Sequence, residues 1–236
     1  APEGIMDALE AKLLEVVKVP LAQTHEGTIS KGATKNLKPL LKASQTVVIG
    51  PGITTHPETR DFLCSILPMI NVPLIIDADA INIVAKEPGI LKEVKAPFIM
   101  TPHPGELGRL ISMTPQDINK RRIDLARAYA DRFNCTLVLK GAPTVIAGPG
   151  GETYVNPTGN SGLASAGSGD VLVGMIGGFM AQKMLPINAA ITGVFLHGLC
   201  ADLAMDKNNE YSLMAGDLID YIHKALNFLL RRRFAE

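Results

Sequence analysis

NPTGNSGLASAGSGDVLVGMIGG, residues 156–178, contains seven glycines and leads into an apolar run that begins at Val171. Glycine lets a backbone approach a ligand closely and adopt positive φ. We predict a helix starting at Asp170, whose unpaired N–H groups and dipole would make the loop an anion site for phosphate or a transition-state oxyanion. Asp170 at this junction is then either a helix cap or a catalytic base, and the pattern leaves both open.

The known phosphate-binding loops do not account for this stretch. The nucleoside-triphosphatase loop requires Gly-Lys followed by Ser or Thr, and no such run occurs in the sequence. The GxGxxG fingerprint of dinucleotide-binding folds also fails, because Gly167 and Gly169 are followed by Val171 and Leu172, and the next glycine is Gly174. The sequence therefore indicates another nucleotide-binding fold.

Composition limits the class of protein. The chain has 236 residues, of which 47% are hydrophobic and 19% charged, which predicts a globular protein and a single domain over residues 1–236. Lys plus Arg and Asp plus Glu are 23 each, so no overall field attracts nucleic acid. No apolar run reaches the roughly 20 residues that cross a bilayer. Cys64, Cys135 and Cys200 have no metal-ligand spacing, which favours a reducing, cytoplasmic location.

Short apolar runs alternate with helical patterns along the chain. The runs are continuously apolar, which indicates strands buried on both faces of a sheet. We therefore predict an α/β fold with a central, mostly parallel sheet and helices on both faces. The predicted strands are 46–49, 73–77, 98–100 and 136–139, with a hairpin of 145–147 and 153–155; the predicted helices include 5–17, 36–43, 58–70 and one face at 126–133.

Four predicted strands end in residues with unusual chemistry. The carboxyl ends of parallel strands meet at one edge of a sheet, where ligands bind. These ends read GPG at 50–52, DADAIN at 77–82, TPHPGE at 101–106 and KGAPT at 140–144. Each alone has an ordinary structural explanation, such as a helix cap or a turn. Together with the glycine loop they predict a binding rim of acids, a histidine, a lysine and glycines.

These motifs resemble those of the ADP- or ATP-dependent NAD(P)H-hydrate dehydratases, which are ribokinase-like enzymes. The resemblance rests on IGPG at 49–52, DADAIN at 77–82, TPHPGEL at 101–107, KGAPT at 140–144 and GNSGLASAGSGDVLVG at 159–174, in the family's order and spacing. It implies dehydration of (6S)-NADHX or NADPHX to NADH or NADPH by phosphorylation of the C6 hydroxyl and loss of phosphate. It also implies ADP or ATP as co-substrate, Mg²⁺ as cofactor and a homo-oligomer, a tetramer.

The resemblance assigns roles residue by residue. Asp170 would be the catalytic base, with Gly167 and Gly169 forming the anion hole, and Gly52, His103 and Asp170 would contact the hydrate. Glu106 matches a position near magnesium. The implied nucleotide-binding residues are Lys140, Gly141, Ala142, Pro143, Thr144, Asn160, Ser168 and Gly169.

The sequence departs from the family pattern in two places. Thr54 stands where the family has a glycine, so the local backbone is expected to differ. The family's additional N-terminal strand and helix, which help to cover the substrate, do not precede residue 1. We therefore expect these residues alone to bind nucleotide but turn over the hydrate poorly, and to associate through an uncovered sheet edge.

Two other functions fit the same motifs. One is a ribokinase-like kinase for a vitamin-precursor alcohol such as hydroxyethylthiazole, which would use the same aspartate and anion hole. The other is a non-catalytic nucleotide-binding protein. A stable phosphorylated product would indicate the kinase, and nucleotide binding without turnover would indicate the binding protein.

Overall fold

One six-stranded sheet organises the computed structural model, which describes residues 1–207 and 209–232. The strands are β1 (Val47–Ile49), β2 (Leu74–Ile76), β3 (Phe98–Met100), β4 (Thr136–Leu139), β5 (Val145–Ala147) and β6 (Thr153–Val155). They lie in the order β1-β2-β3-β4-β5-β6. The strands β1 to β4 pair in parallel, while β5 and β6 pair antiparallel as the predicted hairpin. The prediction of a mostly parallel sheet is confirmed.

Helices connect the parallel strands and follow the hairpin. They are α1 (Met6–Lys12), α2 (Thr34–Ala43), α3 (Pro57–Ile66), α4 (Ala78–Lys86), α5 (Pro104–Ile111), α6 (Pro115–Lys120), α7 (Arg122–Phe133), α8 (Ser168–Ala181), α9 (Pro186–Ala204) and α10 (Ala215–Arg232). Short 3-10 helices occupy Glu3–Ile5, Lys31–Ala33, Leu67–Met69, Pro88–Glu93 and Ser161–Ala164. Proline at the first position of α3, α5, α6 and α9 fits these starts, because its fixed φ suits the first turn.

Alternate side chains of the strands β2 to β5 enter cores on opposite faces of the sheet. Leu74 and Ile76 of β2 pack into one core with residues of α3, α4, α5 and α7. Ile75 between them packs into a second core with residues of α8 and α9. Leu74, Ile75 and Ile76 are all fully buried. Because neither face of the strand is in contact with solvent, every residue of the run must be apolar. Helices therefore cover both faces, as predicted.

Three helix boundaries differ from the sequence prediction. The first helix ends at Lys12 rather than at Val17, because the β-branched Val16 and Val17 and the proline at position 20 disfavour its continuation. The predicted helix 58–70 ends at Ile66 and tightens into a 3-10 turn. The helix expected at Asp170 begins earlier, at Ser168.

Helix α9 is the one described helix that is long and apolar enough to cross a membrane, with mean hydropathy 1.4 over its 19 residues. Most of it is buried inside the fold, between the sheet and the helices α8 and α10. Residues such as Ala189, Ala190 and Val194 pack directly beneath the sheet. Its apolar character is thus explained by its position in the core.

Candidate functional site

A buried ion pair joins the carboxyl ends of β2 and β4. The Lys140 Nζ lies 2.8 Å from Asp77 Oδ1, and Asp77 is only 1% exposed. Thr101, at the end of β3, donates its hydroxyl to the same oxygen at 2.6 Å. The backbone supports this arrangement, because Lys140 N–H donates to the carbonyl of Pro102 at 2.9 Å. The ends of β2, β3 and β4 therefore meet at one edge of the sheet and are linked by these contacts, as the strand pattern predicts; their binding role remains a prediction.

His103 and Glu106 form a capping box at the start of α5. The His103 Nδ1 accepts hydrogen bonds from the backbone N–H groups of Gly105 and Glu106, and Glu106 Oε2 accepts from His103 N–H at 2.8 Å. Glu106 is 5% exposed, and its Oε2 also lies 3.9 Å from Lys140 Nζ. The His103 side chain remains half-exposed. His103 therefore presents an imidazole edge to the rim while its Nδ1 holds the helix start.

The glycine loop ends in a turn that leaves backbone donors free. Gly167 caps α8 with φ 84°, a left-handed conformation that glycine adopts readily. Among the described residues, the N–H groups of Gly167 and Gly169 have no acceptor, whereas Ser168 N–H donates to the Ser165 carbonyl and Asp170 N–H to that of Gly167. These free donors lie at the positive end of the α8 dipole. Such donors suit the anion site that the glycine pattern predicts, and binding of an anion there remains a prediction.

Asp170 occupies the first turn of α8 and is exposed. Within the described chain its carboxylate has no hydrogen-bond or ion-pair partner, so it does not cap the helix. The cap is supplied by the conformation of Gly167 instead. The carboxylate is free to accept a proton from a bound hydroxyl.

Lys140 lies next to this helix start. A Cβ built on Gly169 would be 3.7 Å from Lys140 Nζ, so the ammonium group borders the anion site. Its direct partner is Asp77, and the side chain is 19% exposed. The lysine therefore adds positive charge beside the free amides from a fixed position.

Asn160 and Ser168 have internal partners. The Asn160 side chain accepts from Gly162 N–H and donates to Asp202 Oδ1 at 3.2 Å, and Asp202 Oδ2 accepts from Gly159 N–H at 2.9 Å. The Ser168 hydroxyl donates to the Leu163 carbonyl at 2.6 Å. Both side chains thus hold the shape of the glycine loop, and a contact with nucleotide by either remains a prediction.

The segment 140–144 is held from below by Arg122. This arginine is 9% exposed and donates to the carbonyls of Leu139, Lys140 and Pro143. Burial lowers the pKa of its guanidinium. The Ala142–Pro143 peptide is cis, and Gly141 and Ala142 remain exposed on the other side. The segment therefore exposes its backbone to a ligand on one side, while Arg122 holds it in place on the other.

The segment after β1 contains three positive-φ residues, Gly50 (φ 136°), Gly52 and Thr54. Gly52 has φ 69° and faces open space. Thr54 has φ 66°, so the threonine adopts the left-handed conformation that glycine favours. Its N–H donates to Asp79 Oδ2 at 2.9 Å, which stabilises this otherwise unfavourable geometry. Thr54 therefore keeps the backbone conformation that a glycine would adopt at this position.

The described residues contain no group of three or more His, Cys, Asp or Glu side chains that could hold a metal ion. Both Glu106 oxygens already have contacts, Oε2 with His103 N–H and Lys140 Nζ and Oε1 with His103 Nε2 at 3.5 Å. Mg²⁺ commonly keeps several waters and binds through substrate phosphates and one or two carboxylates. The donor set fits an ion carried by a nucleotide, with Glu106 as a nearby carboxylate.

A cleft of about 1130 Å³ lies at the opposite end of the strands. Its lining includes Pro97, Thr136 and Pro186, at the starts of β3, β4 and α9. None of the predicted site residues contributes to it. The candidate site is thus an open rim rather than this cleft.

Sequence reasoning missed Arg122, His197 and Asp202. His197 is 6% exposed on the apolar helix α9, and its Nε2 lies 2.9 Å from the Ser168 carbonyl. A lone titratable residue on a buried apolar helix is a signal, because buried polar groups require partners. Asp202 lies on the same helix. Arg122 gave no such signal, since its neighbours in sequence are charged and exposed.

Comparison with known proteins places these features in one family. The family described as NAD(P)H-hydrate dehydratase matches residues 5–224. The chain is 40% identical over 228 residues to the bifunctional NAD(P)H-hydrate repair enzyme Nnr of Moorella thermoacetica, covering 97% of this chain and 43% of that protein. It is 36% identical over 178 residues to the ADP-dependent (S)-NAD(P)H-hydrate dehydratase of Bacillus subtilis, covering 75% of this chain and 62% of that protein. The chain thus spans less than two thirds of the length of these relatives.

Solved structures agree with the family. The ADP/ATP-dependent NAD(P)H-hydrate dehydratase of B. subtilis, co-crystallised with ATP and Mg²⁺, superposes with a TM-score of 0.76 at 29% identity, covering 96% of this chain and 76% of that one. A ribokinase-like superfamily protein from Enterococcus faecalis superposes with a TM-score of 0.69 at 27% identity, covering 84% and 69%. The fold is ribokinase-like, and the chain belongs to the NAD(P)H-hydrate dehydratase family.

Proposed function

We propose that this chain catalyses the ADP- or ATP-dependent dehydration of (6S)-NADHX or NADPHX to NADH or NADPH. The observation that carries the proposal is the pairing of a free carboxylate with free backbone donors. Asp170 has no partner among the described residues, and the unpaired N–H groups of Gly167 and Gly169 lie in the turn before it. A base beside an anion hole suits the transfer of a phosphoryl group to a hydroxyl.

Two steps restore the reduced cofactor. Asp170 takes the proton of the C6 hydroxyl while that oxygen bonds to the terminal phosphorus of ADP or ATP, and the bond from this phosphorus to the departing AMP or ADP breaks. The C6–O bond then breaks with its electrons leaving on phosphate, and the C5 proton passes to water as the ring double bond forms. The amides of Gly167 and Gly169, with the ammonium of Lys140, stabilise charge on the transferring group.

The other residues at the strand ends and in the glycine loop are assigned to binding of the nucleotide, the hydrate or Mg²⁺. The exposed backbone of Gly141, Ala142 and Pro143 is proposed to hold the nucleotide together with Thr144, Asn160 and Ser168. Gly52 and His103 are proposed to contact the hydrate. Mg²⁺, bound on the nucleotide phosphates near Glu106, would neutralise phosphate charge.

Wider properties of the protein belong to the same proposal. The B. subtilis relative bears an ADP-dependent name and was co-crystallised with ATP and Mg²⁺, which supports either nucleotide as co-substrate. We further propose a single domain over residues 1–236, a cytoplasmic homo-oligomer, a tetramer, and no nucleic-acid or membrane partner.

The proposal is tested by Asp170→Asn. Asparagine preserves size and helix compatibility but cannot act as a base, so turnover of the hydrate should fall about 10²- to 10⁴-fold, with an unchanged denaturation midpoint. The matched control is Asp117→Asn, because Asp117 occupies the first turn of the exposed helix α6. That variant should keep full turnover. A folded Asp170→Asn protein with wild-type turnover would remove Asp170 from the mechanism.

A further inference from the structure

Helix α9 contacts the glycine loop at both of its ends. Thr158 donates its hydroxyl to the Phe195 carbonyl at 2.8 Å, and Asp202 holds Gly159 and Asn160. At the other end of the loop, His197 Nε2 lies 2.9 Å from the carbonyl oxygen of Ser168. The last contact is made to the peptide unit that carries the Gly169 N–H.

The imidazole of His197 is the donor in that contact. A carbonyl oxygen only accepts, so Nε2 carries the proton. The pKa of His197 is lowered to about 4, mainly by burial and to a smaller extent by the Lys140 ammonium, while the hydrogen bond to the Ser168 carbonyl acts in the opposite direction, so the ring is neutral near pH 7. The neutral ring with its proton on Nε2 is therefore fixed by its surroundings.

A peptide unit is planar, and the Ser168–Gly169 bond is trans. The carbonyl of Ser168 and the N–H of Gly169 therefore point in opposite directions from one rigid plane. The His197 donor holds this carbonyl together with the first turn of α8, in which Ser168 lies, and the N–H on the opposite edge of the plane points away from the imidazole. That N–H has no acceptor within the described residues.

We propose that His197 is a positioning residue, which fixes the Ser168–Gly169 peptide plane so that the Gly169 N–H points at the transferring phosphoryl group. This inference rests on the proposed function for its catalytic consequence. Its structural part, the orientation of one amide, can be measured without any substrate.

Gln and Met variants separate the donor from the packing. In His197→Gln the side-chain amide can still donate to the Ser168 carbonyl, whereas His197→Met has a similar length and no donor. A misplaced donor should lower kcat for the hydrate about 10- to 100-fold in His197→Met, with the KM for hydrate and the Kd for Mg·ADP changed less than about 3-fold. His197→Gln should recover most of the loss.

The amide orientation is read by residual dipolar coupling in an aligned sample. Labelling with ¹³C-carbonyl serine and ¹⁵N-glycine selects only the Ser161–Gly162 and Ser168–Gly169 pairs of this sequence. Gly162 N–H is held by Asn160 and serves as the internal control. The Gly169 coupling should keep its value in His197→Gln and change in His197→Met, while the Gly162 coupling stays the same in both.

Each outcome decides the proposal. A folded His197→Met protein with an unchanged Gly169 coupling and wild-type kcat overturns it. If His197→Met does not fold, His197→Gln decides alone: a wild-type Gly169 coupling supports the proposal, and a changed coupling at unchanged stability overturns it. If the wild-type protein shows no hydrate turnover, the proposed function fails while the coupling still tests the role of His197.

Discussion

Replacing Lys140 by methionine tests the ion pair at the centre of the rim. Asp77 is 1% exposed, and its Oδ1 contacts Lys140 Nζ at 2.8 Å and the Thr101 hydroxyl. Removing one partner of a buried pair costs about 3–5 kcal/mol, because the other charge stays buried. Since the Lys140 side chain is 19% exposed, we expect a value near the lower end of that range.

Urea denaturation of Lys140→Met should therefore show a loss of about 3 kcal/mol, which corresponds to about 6–12 °C in Tm for a domain of this size. The matched control is Lys120→Met, whose partner Asp117 is exposed, so that change should cost about 1 kcal/mol or less. The double variant Lys140→Met/Asp77→Asn should recover part of the loss, because the buried Asp77 charge is then removed as well, leaving only the more distant Glu106 carboxylate. A loss below about 1 kcal/mol in Lys140→Met would refute the conclusion that the ion pair stabilises the fold. Lys140 would then be interpreted as a mobile side chain that only contacts the nucleotide.

Three further predictions follow from the geometry. His103→Asn keeps a helix-capping side chain, so its stability should match that of the wild type. Its KM for the hydrate should rise, while its Kd for Mg·ADP, measured by calorimetry, should stay constant. A change in ADP affinity alone would contradict the proposal that His103 contacts the hydrate. Gly50→Ala should lose on the order of 3–4 kcal/mol in urea denaturation, because its Cβ would lie 1.7 Å from the Asp77 carbonyl oxygen, whereas a Cβ on Gly89 meets nothing; equal stabilities of Gly50→Ala and Gly89→Ala would refute this. The pKa of His197 is about 4 in the folded protein and 6.5 in the free side chain, so the unfolded chain takes up a proton at a higher pH than the folded one. The free energy of unfolding should therefore fall as the pH drops from 6.5 to 4, by about 3 kcal/mol. The same slope in His197→Gln would show that other groups cause the loss.

The sheet was predictable because its four central strands, β2 to β5, are buried on both faces. Ile75 and Ile76 enter opposite cores and are both fully buried, so the strand reads as a continuous apolar run. The rim was predictable for a related reason, since parallel strands bring their carboxyl ends to one edge. Asp77 and Lys140 are far apart in sequence, yet these ends place them 2.8 Å apart.

The sequence predictions were wrong or incomplete where contacts between distant parts of the chain determine a helix boundary or the burial of a side chain. Val16 and Val17 have helical spacing but are 53% and 90% exposed, so burial does not stabilise a helix there. The start of α8 was misplaced because the left-handed Gly167, rather than Asp170, ends the loop. Arg122 becomes buried only when the segment 140–144 folds over it, and nothing in its local sequence indicates that contact.

Direct assay of the hydrate tests the central claim. The protein is incubated with (6S)-NADHX, Mg²⁺ and ADP or ATP, and NADH absorbance and free phosphate are followed together. The account predicts that NADH and phosphate appear in equal amounts, only when nucleotide is present, and that Asp170→Asn slows the formation of both about 10²- to 10⁴-fold. A stable phosphorylated product without phosphate release, or nucleotide binding without formation of NADH, would contradict the claim.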